Sequence, residues 1–240
     1  MQSPEIGPSE AQAVLFEAGA HNPGPWITHS VLVGHAARRI ASATGDLDPD
    51  QALAMGLLHD VGRIRGVTGM RHATDGYRYL TEQGLNLCAT VSLSHSFPDG
   101  RLDSYIGQVD VEPDDLQLLR DFLAGGAFSD YDKLIQLCDF IATGQGYCLA
   151  EVRMVDTVLR YGNRKVPTTK WEAIFNLLKD FGQRVGGSVY GVLPGIAQGT
   201  FGNTPLLSNS PDDSETKALL LAKARFRDLD SWKPVRHDGM

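Results

Sequence analysis

The dipeptide His59-Asp60 could do chemistry, because it closes the apolar run LAMGLLHDVGR. An aspartate at the end of such a run is costly to bury unless its charge is compensated, and a metal ion would compensate it. Adjacent side chains do not share one helix face, so both reach a common ion most easily at a helix end or kink. Gly62 would give the backbone that freedom. Taken alone, the pair also fits a helix cap beside a core histidine.

Four further candidate ligands stand in comparable positions: His29 in PGPWITHSVLVGHAARRIA, His72 at the start of RHATDGYRYL, His95 near the end of CATVSLSHSF, and Asp139 inside LIQLCDFIA. Together with the first pair they make four imidazoles and two carboxylates. This mixture suits Fe or Mn, and also Zn or Co, better than Mg or Ca alone. Six side chains exceed what one catalytic ion with open positions needs, so we predict two divalent ions bridged by Asp60.

Helices must position these side chains, since strand signals in the sequence are weak. Asp48 and Pro49 predict the start of a helix that runs into His59, with the aspartate as N-cap and the proline at the first helical position. Pro113 predicts another start, followed by two aspartates where the helix dipole favours them. Apolar residues after Pro167 predict a third helix, and one of its faces is formed by Trp171, Ile174, Leu178, Phe181 and Val185.

We therefore predict an all-α fold: a compact helical bundle with a C-terminal helical extension and a flexible tail. Residues 1–145 would form the metal-binding core, 146–195 a helical extension packed on the same domain, and 196–240 a linker and tail. The tail begins with the linker-like stretch GTFGNTPLLSNSPDDSE. The amphipathic segment that follows could dock on the domain, contact a second subunit or stay mobile. The residues on its apolar face are Leu219, Ala222, Phe226 and Leu229.

The composition is that of an ordinary globular protein, with 42% hydrophobic and 21% charged residues among 240. No apolar run approaches the roughly 18 to 20 residues needed to span a bilayer, so no membrane association is expected. The N-terminus lacks the features of a signal peptide. The three cysteines lack metal-type or redox-type spacing and predict reduced core residues of a cytoplasmic protein. A net charge of −7 argues against broad binding to nucleic acid.

The order His29, His59-Asp60, His72, His95, Asp139 resembles the HD-domain superfamily of metal-dependent phosphohydrolases. The similarity covers roughly residues 25–145 and is carried by the segments HSVLVGHA, GLLHDVGR, HATDGY, LSHS and QLCD. The additional histidines at 72 and 95 resemble the dinuclear branch. The resemblance implies an all-α fold in which His29, His59, Asp60 and Asp139 hold one ion. His72, His95 and a bridging Asp60 would hold the second ion.

The sequence departs from the motifs of two branches of the superfamily, which narrows the range of expected substrates. The 5'-nucleotidases of the superfamily carry a glutamate soon after the HD pair, whereas Val61, Gly62 and Arg63 follow it here. The HD-GYP cyclic dinucleotide phosphodiesterases have a lysine where Arg63 stands, and their Gly-Tyr-Pro signature is absent. The dinuclear branch also includes the symmetrical diadenosine tetraphosphate hydrolases. From these three branches we expect a small, nucleotide-like substrate.

The reaction implied is hydrolysis of a phosphoester or phosphoanhydride bond by a metal-activated hydroxide. Two ions about 4 Å apart can lower the pKa of a bridging water from near 16 to around neutrality. Asp60 and Arg63 are the candidate catalytic residues. Arg63, Arg71 and Ser96 are the candidate substrate-binding residues, since an arginine fork can bind phosphate through two parallel hydrogen bonds.

Two other functions compete with this interpretation. Some relatives, such as myo-inositol oxygenase and a phosphonate-cleaving oxygenase, use a similar ligand set to hold a di-iron centre for O₂ chemistry on a small organic substrate. They carry a substrate-binding lysine one turn after the fourth histidine, where this chain has Asp99. A non-catalytic nucleotide sensor is the third interpretation, but the intact ligand set argues against it. The sequence leaves homo-oligomerisation open.

Overall fold

The computed structural model describes residues 4–144, 146–162, 167–201 and 214–226. The fold is all-α, as predicted, and these residues contain no β-strand beyond an isolated bridge between Ala142 and Tyr147. The α-helices are α1 (Pro8–His21), α2 (Trp26–Thr44), α3 (Pro49–Leu58), α4 (Arg71–Glu82), α5 (Asn86–Ser94), α6 (Pro113–Ala124), α7 (Asp130–Ile141), α8 (Ala150–Tyr161), α9 (Thr168–Arg184), α10 (Ile196–Phe201) and α11 (Ser214–Arg225). Short 3₁₀ helices cover Val61–Arg65, Leu102–Ser104 and Val189–Val192.

The helix starts follow the capping signals of the sequence. The Asp48 side chain accepts hydrogen bonds from the backbone N–H groups of Asp50 and Gln51, both at 2.9 Å, and Pro49 is the first residue of α3. Pro113 is likewise the first residue of α6, although the side chain of the preceding Glu112 forms no capping hydrogen bond. Helix α9 begins after Pro167 with Thr168, and its buried apolar residues are Ile174, Leu177 and Phe181. The predicted starts of these helices are confirmed.

Helices α2 and α3 pack against each other at two glycines. A Cβ on Gly56 would lie 2.5 Å from the Cα of Gly34, so the two backbones meet with no room for a side chain. This close approach brings the start of α2 beside the end of α3. It therefore places His29 and His59, which lie at those two helix ends, next to each other.

The glycine that follows the HD pair has a different role from the one expected. Gly62 does not have a positive φ. Instead, a Cβ there would lie 2.0 Å from the carbonyl oxygen of His72 and 2.4 Å from the nitrogen of Gly76. The residue is therefore required for close packing of the 3₁₀ helix Val61–Arg65 on α4, and not for backbone freedom.

The helices beyond residue 145 rest on the same core. Helix α9 packs against α7 and α2, and α11 packs against α2. In α11, Leu219 and Ala222 are buried, and the ring of the adjacent Phe226 meets Phe16 of α1 edge-on at 6.1 Å between centroids. Of the three alternatives for this amphipathic segment, the structure shows that it docks on the domain. Leu229, most of the linker-like stretch and the chain end lie outside the described residues, and the division at 145 and 195 stays a prediction.

The cysteines behave as predicted: Cys88, Cys138 and Cys148 are buried and free. Among the described residues, no helix is both long and apolar enough to cross a membrane.

Candidate metal centre

Five segments bring the six predicted ligands to one place. Helix α2 supplies a histidine from its first turns, the end of α3 supplies the HD pair, α4 supplies a histidine from its first turn, the end of α5 supplies another, and α7 supplies an aspartate near its end. These residues form two groups of possible metal ligands, and within each group the ligand atoms lie within 4.8 Å of one another. The groups are His29, His59 and Asp139, and Asp60, His72 and His95.

The first group is centred on one carboxylate oxygen. Oδ1 of Asp139 lies 2.8 Å from Nε2 of His29 and 3.6 Å from Nε2 of His59. The side chain of Asp139 is 27% exposed and that of His29 is 13% exposed, whereas His59 is fully buried. This group therefore forms the side of the centre that solvent can reach.

The second group is centred on Oδ1 of Asp60. This oxygen lies 3.3 Å from Nε2 of His72 and 3.7 Å from Nε2 of His95, and the two Nε2 atoms are 3.0 Å apart. All three side chains are at most 5% exposed. Oδ2 of Asp60 lies 4.0 Å from Nε2 of His59, so the two groups adjoin at the HD pair.

Three of the four histidines are oriented by a backbone carbonyl three residues earlier in the chain. Nδ1 of His59 faces the carbonyl of Gly56 at 2.7 Å, Nδ1 of His95 faces that of Ser92 at 2.8 Å, and Nδ1 of His72 faces that of Gly69. A carbonyl can only accept, so Nδ1 carries the proton in the neutral imidazole and Nε2 keeps its lone pair. This arrangement is typical of metal-binding histidines.

The last turn of α5, next to His95, is tied to α7, which carries Asp139. The hydroxyl of Ser94 donates to the carboxylate of Asp132 at 2.6 Å, and the amide of Gln136 donates to the Ser94 carbonyl at 3.1 Å. Both contacts are buried. They fix the distance between the helices that contribute the two groups.

Unsatisfied atoms inside the centre fit a cation. Nε2 of His59 and Oδ1 of Asp60 are buried and have no hydrogen-bond partner among the described residues. Buried polar atoms in native proteins nearly always have a partner, so each of these two atoms lacks one that a bound ion would supply. Both atoms offer lone pairs, and imidazole nitrogens mixed with carboxylate oxygens suit a divalent first-row metal. The residues present therefore fit a metal site.

A family profile for the HD domain matches residues 26–144. The chain belongs to the HD-domain superfamily. The matched range begins at the first residue of α2, ends just beyond α7 and includes all six candidate ligands. Proteins of this family are generally metal-dependent hydrolases, so a hydrolase-type activity is indicated. Searches of curated proteins and of solved structures found no significant match.

The charges of the HD domain favour a bound cation. Burial raises the pKa of Asp60, but the charges of Arg63 and His72 outweigh it and hold that pKa far below its usual range. Burial likewise raises the pKa of Asp139, but its hydrogen bond with His29 and the nearby charge of His59 leave it well below the ordinary value. Both carboxylates are therefore ionised at neutral pH.

The histidines of the second group are held neutral. Burial, followed by the charge of Arg63, lowers the pKa of His72 to about 4. Burial, followed by the charge of His72, lowers the pKa of His95 to about 3. For His59, burial lowers the pKa, but Asp139 and Asp60 outweigh it and the net shift is upward. His72 and His95 are thus already in the neutral state that metal binding requires, and His59 would release its proton when an ion binds.

The predicted substrate-binding residues differ in where their side chains point. Nε of Arg63 donates a 2.7 Å hydrogen bond to Oδ2 of Asp60, and its side chain is 28% exposed. Arg71 instead pairs with Asp75 at 3.1 Å on α4. Ser96 is half-buried beside His95, and its carbonyl accepts a hydrogen bond from Lys170. The structure thus brings Arg63 to the ligands and engages Arg71 elsewhere.

Sequence reasoning missed two residues at the HD domain's centre. Lys170 of α9 reaches the backbone next to His95. Tyr105 is close enough to Arg63 for their charges to interact, although burial dominates and raises the pKa of its hydroxyl. Lys170 had a signal in the sequence, because it shares the helical spacing of Ile174, Leu177 and Phe181 and so lies on the buried face of α9.

Proposed function

We propose that this HD-domain protein is a metal-dependent phosphohydrolase that cleaves a phosphoester or phosphoanhydride bond of a small, nucleotide-like substrate. The observation that carries the proposal is the pair of orphaned buried atoms, Nε2 of His59 and Oδ1 of Asp60, between two adjoining groups of ligands. The family match supports a hydrolytic reaction.

Two divalent ions would be held by the two groups, with Fe or Mn as the first expectation and Zn, Co or Mg as alternatives. His29, His59 and Asp139 would hold one ion, and His72 and His95 the other. Asp60 would bridge them, because one of its oxygens faces each side. When bound, such ions lower the pKa of coordinated water towards neutrality and neutralise charge on phosphate oxygens.

The substrate would reach the metal ions from the solvent-exposed side of the centre. Asp139 and His29 are the ligand residues most open to solvent, so the scissile phosphate would arrive from their side. Asp139 is ionised, and a carboxylate oxygen that reaches solvent can accept a hydrogen bond from the attacking water and so orient it.

Arg63 would both position Asp60 and bind phosphate. Its Nε is committed to Asp60, and Nη1 lies 3.5 Å from the carbonyl of Thr68. Among the described residues Nη2 has no hydrogen-bond partner, which leaves one N–H edge for a phosphate oxygen. The same contact holds the carboxylate of Asp60 in one orientation.

The oxygenase alternative is not favoured. At the position where those relatives carry a substrate-binding lysine, Asp99 is engaged in local contacts. Its carboxylate accepts hydrogen bonds from the hydroxyls of Ser104 at 2.6 Å and Thr169 at 2.8 Å.

The test is hydrolysis by full-length protein loaded with Mn²⁺ or Fe²⁺, on a panel of nucleoside mono-, di- and triphosphates, dinucleoside polyphosphates and bis(p-nitrophenyl) phosphate. Release of inorganic phosphate, of p-nitrophenol and of product nucleotides separated by chromatography is measured for the respective substrates. Asp60→Asn should abolish turnover, while Asp121→Asn, which alters an exposed carboxylate on α6, should not change it. Oxygen consumption is followed in parallel. Metal-loaded protein that hydrolyses no member of the panel would overturn the proposal.

A further inference from the structure

Lys170 is a positive charge placed beside the centre by a helix outside the family match. Helix α9 follows residue 144, where the HD-domain match ends, and it packs on α7 and α2, which carry Asp139 and His29. The lysine lies on the same face as Ile174 and Leu177, one turn before the first of them. Its half-buried side chain therefore runs along the packed face of α9 towards the metal ligands.

The ammonium group of Lys170 is poorly satisfied. Nζ donates one hydrogen bond, 2.8 Å long, to the carbonyl of Ser96, whereas an ammonium has three N–H donors. Within the described part of the chain, no carboxylate forms an ion pair with it. A half-buried lysine loses part of its hydration, and that loss is costly unless a partner replaces the water.

The anchor of Lys170 is rigid. The neighbouring Thr169 donates a 2.8 Å hydrogen bond to Asp99, and Ser104 and the backbone N–H of Arg101 bind the other oxygen of the same carboxylate. Asp99 thus joins the start of α9 to the loop that follows His95. Its oxygens are engaged by these donors and form no ion pair with Lys170 in the described part of the chain, although its negative charge still acts on the ammonium group.

The charge balance around Lys170 favours an anion. Burial lowers the pKa of Lys170, while Asp139 and Asp99 oppose that effect and the positive charge of Arg153 adds to it. Two divalent ions would exceed the charge of the two ligand carboxylates, and Arg63 and Lys170 would add to the surplus. A single phosphate monoester would leave much of this surplus uncompensated.

We propose that Lys170 forms an anion subsite on the solvent-facing side of the metal centre, which binds a second phosphate group adjoining the scissile one. The substrate class is then a di- or polyphosphate, in which a phosphoanhydride bond is cleaved, and not a phosphomonoester. This inference rests on the proposed phosphohydrolase function, which it makes more specific. Lys170 acts by positioning the substrate and does not bind the metal ions.

The test measures binding separately from turnover. Inorganic phosphate and pyrophosphate are titrated calorimetrically into Mn²⁺-loaded, full-length protein and into Lys170→Gln, Lys170→Met and Lys170→Arg. Wild-type protein should bind pyrophosphate more tightly than phosphate. Lys170→Gln and Lys170→Met should each weaken pyrophosphate binding about tenfold, as expected when a charge-assisted hydrogen bond is lost, with little change for phosphate. Lys170→Arg should retain part of the preference.

Lys179→Gln is the matched control, because this lysine lies on the same helix with an exposed side chain. Metal content and helical circular dichroism, unchanged in all variants, would separate loss of the subsite from loss of the fold. An unaltered preference for pyrophosphate in both Lys170→Gln and Lys170→Met would overturn the subsite.

The subsite and the reaction can fail independently. Binding of pyrophosphate that depends on Lys170, in a protein that hydrolyses no phosphoanhydride, would support the subsite and contradict the reaction. Where turnover is present, Lys170→Gln should raise KM for a nucleoside diphosphate about tenfold and leave KM for bis(p-nitrophenyl) phosphate within about twofold. Equal losses for both substrates would contradict a subsite that recognises the second phosphate.

Discussion

Gly62 lies against the carbonyl of His72 so closely that a Cβ at position 62 would be 2.0 Å from that oxygen. Residue 62 follows the HD pair within two positions, and His72 belongs to the group of ligands centred on Asp60. The spacing between Asp60 and His72 is therefore set by contact between two backbones.

Gly62→Ala should distort the centre, because the atoms that the new methyl group meets are backbone atoms that cannot rotate away. Overpacking of this kind costs roughly 1–3 kcal/mol of unfolding free energy. We expect a lower urea midpoint and loss of metal from the Asp60 group, measured by elemental analysis. Gly187→Ala is the control, since a Cβ there would meet nothing within 4 Å. Equal urea midpoints and metal contents in the two variants would show that the contact at Gly62 does not determine the geometry of the centre.

Arg63→Gln should distinguish the role of Arg63 from that of Arg71. Glutamine can still donate a hydrogen bond to Asp60 but carries no charge, so we expect kcat on a phosphoanhydride to fall by about tenfold to a hundredfold, the range for loss of a charged contact to phosphate. Metal content should not fall. Arg71→Gln removes only the ion pair with Asp75 and should change kcat less than about twofold, as for most exposed pairs. Steady-state kinetics on both variants would contradict this assignment if Arg71→Gln had the larger effect.

Metal stoichiometry should respond to each group separately. Protein purified without added metal should contain close to two ions of Fe or Mn per chain, as expected for two groups of ligands. His95→Ala should lose the ion of the Asp60 group, and His29→Ala the ion of the Asp139 group, while the exposed His21→Ala should lose neither. One ion in the wild type, unchanged in His95→Ala, would assign His72 and His95 to a structural role.

The metal-free protein should lose stability in acid before its carboxylates titrate. The pKa values of His72 and His95 are lowered to about 4 and about 3, whereas an unfolded histidine titrates near 6.5. Their contribution is therefore complete above pH of about 6.5 and is lost as the pH falls towards 4, because the unfolded state then binds more protons than the folded state.

His59 acts in the opposite direction, since its raised pKa gives a contribution that is lost as the pH rises through that value. The two lowered histidines outnumber it, so the net loss is on the acid side. Urea unfolding between pH 7.5 and 4.5 measures the effect. His95→Phe should flatten this dependence, and a wild-type midpoint that does not change over the range would contradict it.

The sequence was most informative where the hydrophobic pattern and the chemistry coincide. Asp60 stands at the end of an apolar run and Asp139 lies within one, so burial without a partner would be costly, and that cost pointed to a cation before any geometry was known. The helix starts at Pro49 and Pro113 follow from local backbone chemistry and were predicted for the same reason.

What the sequence could not supply depends on packing between distant helices. Lys170 meets Ser96 only because the start of α9 lies beside the loop that follows α5, and no local pattern encodes that approach. For Arg71 a local argument was available: it precedes His72 directly on α4, and neighbours on a helix point about 100° apart, so both do not face the same centre. Gly62 needed the position of α4 before its role in close packing could be seen.

The two ligand groups differ in the sequence separation of their residues, and so in how early they can form during synthesis. Asp60, His72 and His95 come from one stretch of chain, so the loops that close their group are short. The contact between His29 and Asp139 joins residues 110 positions apart, so its group stays incomplete until most of the domain has been synthesised. Closing so long a loop carries an entropic cost that only the finished core repays. A nascent chain would thus bind its first ion at Asp60, His72 and His95. The second ion would bind only after α7 had been synthesised.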